Sequence, residues 1–312
     1  MTAGEAFPRS AAVAAAPRLR HVEAVVNPAA GSVGPGAADE MSRLLSELGL
    51  NAKVRASFPE DLDDVLKRAM DAAPDLLIVL AGDGTARIAA SWCGATGPLI
   101  APLAGGTMNM LPHALYGPKD WKTALRETVL EGVVTPVSGG EVDGHRFHVA
   151  AILGAPALWA EAREAARNRR FKLALEKAHN AWRRAFASKL HFTLDDGPHR
   201  RAQALTLMCP LVSRAMANDE GALEVDVLDL KTAAEAFRLG FRTLMTDVLG
   251  DWRDDPAVNV AHCRGGEARA RGHIPAIIDG EPTRLPRCVD IRFIPLAFRA
   301  LAPPRAAPGG RR

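Results

Sequence analysis

Short apolar runs alternate with amphipathic segments in the first third of the chain. The apolar runs at 22–26, 53–56, 76–80 and 98–101 favour β-strands, and the run at 76–80 is continuous, as expected for a strand covered on both faces. Between them, apolar residues recur with the i, i+3, i+4, i+7 spacing of a helix face, as in Met41, Leu44, Leu45 and Leu48. This alternation predicts a doubly wound parallel sheet over residues 21–135, an α/β fold with its working edge at the carboxyl ends of the strands.

The pattern changes after residue 135. Asp-Gly pairs at 143–144, 196–197 and 279–280 lie between strand-like runs and predict hairpin turns. The runs are 147–153, 191–194, 204–209, 223–230 and 289–294, and helical stretches are predicted near 158–187 and 231–249. Residues 136–295 are therefore predicted to form an antiparallel β-rich domain with inserted helices. The ends, 1–20 and 303–312, are expected to be disordered tails.

The composition narrows the classes of function. The chain of 312 residues is 48% hydrophobic with a net charge of +3, which excludes wholesale disorder and does not indicate nucleic-acid binding. No apolar run approaches the roughly 18 residues of a membrane-spanning helix. The four cysteines form no CxxC pair, which argues against a disulfide framework or a zinc site and favours a reducing cytoplasm.

Three glycine-rich turns carry the candidate chemistry. They lie at 31–36, 81–85 and 105–109, each after a predicted strand. Glycine lets the backbone approach a ligand closely, and N–H groups at the start of a helix suit phosphate. Taken singly, each turn also fits a plain β-to-α connection, and Asp83 also fits an Asx turn that caps a helix. Together the turns predict a cleft of N–H donors with one carboxylate, which suits a nucleotide polyphosphate and its metal.

Four motifs occur in a fixed order: Asn27-Pro28 with Gly31, Gly82-Asp83-Gly84-Thr85, Pro102-Leu103 with Gly106-Thr107-x-Asn109, and Asp279-Gly280-Glu281. Their order and spacing resemble those of the diacylglycerol kinase catalytic-domain family, which includes bacterial soluble lipid kinases and sphingosine kinases. The resemblance covers about 22–301. It implies an ATP-dependent lipid kinase acting on a diacylglycerol or a sphingoid base, with ATP in the cleft between a nucleotide domain and a lipid domain. It also implies that a final strand, about 296–302, returns to the first domain.

The resemblance further implies roles for individual residues. The residues expected around ATP are Asn27, Gly31, Ser57, Gly82, Asp83, Gly84, Thr85, Gly106, Thr107 and Asn109. Glu281 matches the general base, and Asp83 would serve Mg²⁺ or place the hydroxyl. A structural Mg²⁺ would be held by Ala217, Glu220 and Ala222. Without the other motifs, the Asp-Gly-Glu sequence is better explained as an exposed hairpin tip than as a catalytic site. Residues 217–223 fit a polar turn before a strand as well as they fit a metal site.

Several positions depart from the family pattern. Ala81 replaces a glycine, Met110 stands where an aspartate often follows Asn109, and Glu220 replaces an aspartate. The glycine-rich stretch that opens the lipid domain is reduced to Leu153-Gly154-Ala155-Pro156. These departures motivate one alternative, a non-catalytic lipid- or nucleotide-binding protein. A second alternative is an NAD-kinase-like enzyme, since that related family also carries Gly-Asp-Gly-Thr, although Asn27-Pro28 and Asp-Gly-Glu argue against it.

A basic segment at 159–189 bears on the choice of partners. It contains nine Lys and Arg residues against three Glu, with aromatic residues interleaved. Such a segment favours transient contact with an anionic membrane surface, and the alternative is a solvated helix with its aromatic side chains in the core. The expected location is the cytoplasm, with peripheral attachment at the inner membrane face. The sequence leaves open whether the protein forms a homodimer.

Overall fold

The computed structural model of the protein describes residues 18–154, 189–213, 221–228 and 258–304. The chain divides into two units: unit 1 comprises Met1–Pro136 and Phe298–Arg312, and unit 2 comprises Val137–Ala297. The sequence had placed the corresponding boundaries after residues 135 and 295.

Unit 1 is built on the parallel sheet that the sequence predicted. Four strands, β1 (Val22–Val26), β2 (Ala52–Ala56), β3 (Leu76–Ala81) and β4 (Leu99–Ala104), lie in the order β2-β1-β3-β4. Every residue of β1, β3 and β4 is buried, which fits their largely apolar sequences. Residues 298–302, the end of the last strand of the chain, extend the sheet because Ala300 pairs in parallel with Ile100 of β4.

The connecting segments contain five helices within the described residues: α1 (Ala37–Glu47), α2 (Leu62–Asp71), α3 (Asp83–Cys93), α4 (Met110–Tyr116) and α5 (Trp121–Glu131). Helix α1 buries Met41, Leu44 and Leu45, three of the four residues in its predicted apolar stripe. The helix is followed by Gly49, whose φ of 75° favours glycine. Since α2 packs on β1 and α3 packs on β3 and β4, the helices cover the sheet.

Two predicted boundaries in unit 1 were wrong. Strand β4 does not end at residue 101 but continues to Ala104, because the apolar run lasts until Gly105. Helix α3 begins at Asp83, so most of the Gly-Asp-Gly-Thr motif forms the first helical turn and only Gly82 remains as the N-cap. Helix α5 was not predicted, although it has a side-chain N-cap: Asp120 accepts hydrogen bonds from the backbone N–H groups of Lys122 and Thr123.

Unit 2 is the predicted antiparallel β-rich unit. Its described strands, of which the first and last extend into unit 1, are β5 (Val133–Val142), β6 (His145–Phe147), β7 (Ala150–Gly154), β8 (Leu190–Leu194), β9 (Arg200–Ala202), β10 (Ala204–Met208), β11 (Leu223–Leu228), β12 (Val258–Cys263), β13 (Gly265–Arg269), β14 (Ile274–Ile278), β15 (Glu281–Leu285) and β16 (Cys288–Ala302). One sheet has the order β12-β11-β10-β7-β14-β15. In the other, β9, β8, β13 and the first part of β16 pair antiparallel. One apolar core, which includes Phe147, Phe192 and Leu223, draws on both sheets.

The Asp-Gly pairs at 143–144 and 279–280 form two-residue hairpin turns, as predicted. Asp143 and Asp279 have φ values of 48° and 46°, and the glycines that follow them also have positive φ. At the third predicted turn, Asp195 rather than Asp196 has the positive φ, 46°.

Two strand predictions in unit 2 were wrong. The run at 147–153 is split between β6 and β7, because the backbone N–H groups of His148 and Val149 donate to the carboxylate of Asp279 instead of a strand partner. The run at 289–294 and the returning strand at 296–302 are one strand of 15 residues, β16, in which Pro295 is exposed.

Other expectations fall wholly or largely outside the described residues. These are the helices near 158–187 and 231–249, the tails at 1–17 and 305–312, Ala217, Glu220, and the basic segment at 159–189 apart from Lys189. Among the residues that the structure does describe, no helix is both long enough and apolar enough to cross a membrane.

Candidate functional site

The three glycine-rich turns meet at the carboxyl edge of the unit 1 sheet. Turn 1 (27–36) follows β1, turn 2 (81–85) follows β3, and turn 3 (105–109) follows β4. The backbone N–H of Ser32 in turn 1 donates to the carbonyl oxygen of Gly105 in turn 3 over 3.1 Å. The Ser32 hydroxyl donates to the carbonyl oxygen of Gly106 over 3.3 Å. Strands β1 and β4 are the two neighbours of β3 in the sheet. The turns that follow them are therefore joined to each other by hydrogen bonds.

Glycine is required where the turns pack against each other. A Cβ atom on Gly105 would lie 2.8 Å from the backbone nitrogen of Ala81, and one on Gly106 would lie 2.9 Å from the Cα of Gly82. A Cβ on Gly31 would lie 3.2 Å from Oγ1 of Thr107. Because the first two contacts are to backbone atoms, any side chain there would force the turns apart.

The carboxylate of Asp83 ties turn 2 to turn 3. Its Oδ2 accepts a hydrogen bond from the backbone N–H of Asn109 over 2.8 Å, and its Oδ1 accepts one from that of Met110 over 2.6 Å. Asp83 therefore caps α4 from the first turn of a different helix, α3. The capping role that the sequence left open for this residue is present, but it is exerted on α4 and not locally.

Asn109 holds turn 3 in its own shape. Its Oδ1 accepts from the backbone N–H of Gly106 over 2.7 Å, and its Nδ2 donates to the carbonyl oxygen of Gly106 over 3.0 Å. Its φ of 51° lies in the left-handed region, which asparagine tolerates better than most residues. Met110, where the sequence led us to expect an aspartate, contributes through its backbone N–H and not through its side chain.

The start of α3 is open. Gly82 is its N-cap and provides no side-chain hydrogen bond, and a Cβ there would meet no atom within 4 Å. The first N–H groups of a helix have no partner within the helix, and the helix dipole adds partial positive charge. Gly84 and Thr85 lie in this first turn, with Thr85 buried, and Thr107 of turn 3 is exposed. This edge of the sheet is suited to an anion.

Two predicted ATP residues have mainly structural contacts. Ser57 is fully buried: its backbone N–H donates to the carbonyl oxygen of Val26, and its hydroxyl donates to Oδ1 of Asp61 over 3.0 Å. Asn27 is 8% exposed, and its Oδ1 accepts from the backbone N–H of Ala29 over 3.0 Å. Asn27 thus shapes turn 1, and Ser57 anchors the chain after β2.

In unit 2, Asp279 has a structural role that the sequence did not predict. The side chain is buried, and it accepts hydrogen bonds from the backbone N–H groups of His148, Val149 and Ala150 over 2.8, 2.9 and 3.0 Å. Burial, with the charge of Asp279 nearby, holds the pKa of the Cys209 thiol well above its ordinary value. The clamp fixes the β14–β15 hairpin to the start of β7.

Glu281, the predicted general base, is the first residue of β15. It lies opposite Ile278 in the hairpin register, and it is exposed. The hairpin that carries Glu281 is held by the hydrogen bonds of Asp279, so the backbone at Glu281 is fixed.

Of the predicted Mg²⁺ ligands only Ala222 is described; it is buried and precedes β11. The described residues contain no group of three or more His, Cys, Asp or Glu side chains arranged to hold a metal.

The described residues thus form a parallel α/β sheet with glycine-rich turns around one carboxylate, followed by an antiparallel β-rich unit. Residues 21–142 match the family model of the diacylglycerol kinase catalytic domain. Over this part of the chain, the match bears out the resemblance that the motifs predicted. No curated protein matches the sequence.

Solved structures share the fold. A diacylglycerol kinase from Bacillus anthracis str. Sterne has a TM-score of 0.64 at 18% identity, with 93% of this chain and 99% of that chain covered. Two further structures from the same strain give TM-scores of 0.66 and 0.65, at 18% and 19% identity and with the same coverage. At this identity the similarity confirms the fold class, an α/β unit followed by a β-rich unit.

Proposed function

We propose that the protein is an ATP-dependent lipid kinase that transfers the γ-phosphoryl group to a hydroxyl of a diacylglycerol or a sphingoid base. The observation that carries this proposal is the carboxylate of Asp83, fixed by two backbone N–H groups beside the open start of α3. The family match of residues 21–142 supports the lipid class of acceptor. In this proposal the enzyme works in the cytoplasm and meets its lipid at the inner membrane face.

Phosphate binding is assigned to the edge of the unit 1 sheet. The N–H groups at the start of α3 attract an anion, and the open space at Gly82 lets it approach the backbone. Thr107 is exposed beside Gly31 and offers a hydroxyl donor from turn 3. Together these groups would orient the polyphosphate, and positioning of this kind accounts for much of the catalysis of phosphoryl transfer.

Asp83 fits a role in holding Mg²⁺. A carboxylate has about four lone-pair sites, and the N–H groups of Asn109 and Met110 use two of them, so each oxygen keeps acceptor capacity. Magnesium is usually held by one or two carboxylates with substrate phosphates and water, so a single acid is sufficient. When bound, the ion would neutralise charge that develops on the phosphate oxygens.

Glu281 is assigned the role of general base, which accepts the proton of the lipid hydroxyl. Its carboxylate would accept the hydrogen of the lipid hydroxyl as that oxygen bonds to the γ-phosphorus. The bond from the γ-phosphorus to the β,γ-bridging oxygen breaks, and ADP leaves. An alcohol is a weak nucleophile until a base accepts its proton, which gives the carboxylate its place in the mechanism.

The test is transfer of labelled γ-phosphate from ATP to a panel of diacylglycerols and sphingoid bases, with Mg²⁺ and with NAD as an additional acceptor. We expect a labelled lipid product from the wild type and at least a hundredfold lower turnover from Glu281→Gln, since general-base catalysis typically contributes about 10²–10⁴-fold. Nucleotide affinity should be nearly unchanged. Glu267→Gln, which alters another glutamate of unit 2, is the matched control and should retain full turnover.

The same panel separates the alternatives. Labelling of NAD and of no lipid would instead favour an NAD-kinase-like enzyme. Nucleotide binding without transfer to any acceptor would favour a non-catalytic binding protein. Full activity in Glu281→Gln would remove that residue from the mechanism while leaving the assignment of unit 1 intact.

A further inference from the structure

An exposed phenylalanine stands at the same edge of the sheet as the three turns. Phe58 follows β2 and has 49% of its surface exposed. Ser57, the residue before it, donates its backbone N–H to the carbonyl oxygen of Val26, the last residue of β1. Phe58 therefore lies beside the beginning of turn 1, immediately after Ser57, which the resemblance placed near ATP; Phe58 itself has no role in the family motifs or in the hydrogen bonds among the turns.

Hydrogen bonds hold the backbone beneath this ring. The N–H of Phe58 donates to Oδ1 of Asp61 over 2.7 Å, and the N–H of Asp61 donates back to the carbonyl oxygen of Phe58 over 3.1 Å. Oδ1 of Asp61 also accepts from the hydroxyl of the buried Ser57. A single exposed apolar residue is common on protein surfaces and needs no function in itself. The position of this one relative to the phosphate-binding turns is what gives it a role.

The strand order fixes that position. Ala56 of β2 and Leu80 of β3 both pair with Val26 of β1, so these three residues lie at the same level of the sheet. Phe58 and Gly82 each follow two residues after that level. Two strand spacings separate them, about 10 Å. A nucleoside with its first phosphate spans a similar distance. The ligand crevice of a doubly wound sheet lies where the connections leave in opposite directions, which here is between β1 and β3; a ligand held at Gly82 reaches Phe58 by extending across the end of β1.

From Gly82 towards β4, the edge of the sheet is occupied by turn 3. On the β4 side of turn 2, Gly106 packs so closely that an added Cβ would lie 2.9 Å from the Cα of Gly82, and Gly105 packs equally closely on Ala81. A base cannot enter between turns 2 and 3. For a nucleotide that lies along this edge with its phosphates at the start of α3, this leaves the direction towards β2, where Phe58 is exposed.

We infer that Phe58 is the platform on which the nucleotide base stacks, an inference that rests on the nucleotide-dependent function proposed above. Every base offers a π-face to an aromatic ring, so the contact tolerates different bases, and the larger face of a purine gains more from it. Phe58 thus sets a preference for purine over pyrimidine nucleotides, whereas turns 1 to 3 bind the phosphates.

The test compares two probes, ADP and inorganic tripolyphosphate, by isothermal titration calorimetry in the presence of Mg²⁺. Phe58→Ala should weaken ADP binding by about tenfold, the low-to-middle range for loss of one base–aromatic stack, and should leave tripolyphosphate binding unchanged. Phe58→Trp should retain ADP affinity. The preference for ADP over UDP should shrink in Phe58→Ala and persist in Phe58→Trp.

Trp92 supplies the matched control. It is 45% exposed and lies near the far end of α3, about 14 Å along the helix from Asp83. Trp92→Ala should change neither affinity. Wild-type affinity of Phe58→Ala for ADP would overturn the inference alone, as would an equal loss for ADP and tripolyphosphate, since the ring would then support the turns and not the base. Failure of the wild type to bind either probe would overturn the proposed function and this inference with it.

Discussion

The backbone N–H of Met110 lies 2.6 Å from Oδ1 of Asp83, so an acid at the start of α3 caps the start of α4. The second carboxylate oxygen holds the N–H of Asn109 in the same way. One side chain therefore joins the segments that follow two neighbouring strands, β3 and β4. These two hydrogen bonds fix the position of the acid, and the phosphoryl transfer proposed above would depend on such positioning.

Replacing Asp83 should affect both stability and ligand binding. Asp83→Ala removes two charge-assisted hydrogen bonds and leaves the N–H groups of Asn109 and Met110 without their acceptor. We expect the free energy of unfolding to fall by about 2 kcal/mol. Affinity for ADP with Mg²⁺ should fall at least tenfold, because turn 3 loses its anchor. Urea unfolding followed by circular dichroism, and calorimetric titration of ADP, measure the two effects.

Asp120→Ala is the control for that experiment. Asp120 caps α5 of the same unit through the N–H groups of Lys122 and Thr123, away from the turns. Its loss should lower the free energy of unfolding by about 1 kcal/mol and leave ADP affinity unchanged. If Asp83→Ala lost stability without losing ADP affinity, Asp83 would be a helix cap and nothing more.

The close contact of turns 2 and 3 makes a second prediction. Gly106→Ala places a methyl group 2.9 Å from the Cα of Gly82, a backbone atom that cannot turn away. Such crowding should cost about 1–3 kcal/mol and open the turns. Gly36→Ala, at a glycine with negative φ and no atom within 4 Å of the added carbon, should be neutral or slightly stabilising. Melting temperatures of the two variants, measured side by side, decide whether the turns are as tightly packed as described; equal values would contradict it.

Local signals explain which parts of the fold were predictable. The α/β alternation could be predicted because the apolar periodicity is a local property of each segment's own sequence. The two-residue turns at 143–144 and 279–280 could be predicted from the Asp-Gly pair itself. The three glycine-rich turns were also evident from sequence, because each follows an apolar run. Their meeting at one sheet edge could be expected from parallel topology alone.

The unpredicted features depend on partners far apart in the chain. Asp83 binds N–H groups 26 and 27 residues away, and Asp279 binds N–H groups about 130 residues away. No pattern around Asp279 reveals that its carboxylate is buried, so the break between β6 and β7 could not be predicted. The same limit applies to Ser57, whose burial comes from its contacts with Val26 and Asp61.

The Asp279 clamp makes a third prediction, with a matched control in the same unit. Asp279→Asn keeps a residue that tolerates positive φ but turns an NH₂ group towards one of the three backbone donors. The free energy of unfolding should fall by about 2 kcal/mol, and amide hydrogen exchange should accelerate at 148–150. Asp143→Asn alters an exposed Asp-Gly turn with nearly the same φ, and should change stability by about 0.5 kcal/mol or less. Similar losses in both variants would mean that the turn, and not the clamp, determines the effect.

The cysteines make a fourth prediction, which includes a pH dependence. Cys93, Cys209 and Cys263 are buried and Cys288 is exposed, so one thiol per native molecule should react rapidly with Ellman's reagent and four after denaturation. A hydrogen bond to the Glu267 carboxylate raises the pKa of Cys288. Since the thiolate is the reactive form, the midpoint of rate against pH should lie above that of an ordinary cysteine. The Arg269 guanidinium lowers the pKa of Glu267, which therefore stays ionised throughout the measurement. Glu267→Gln should shift the midpoint to lower pH, and an unchanged midpoint would show that the carboxylate does not act on the thiol.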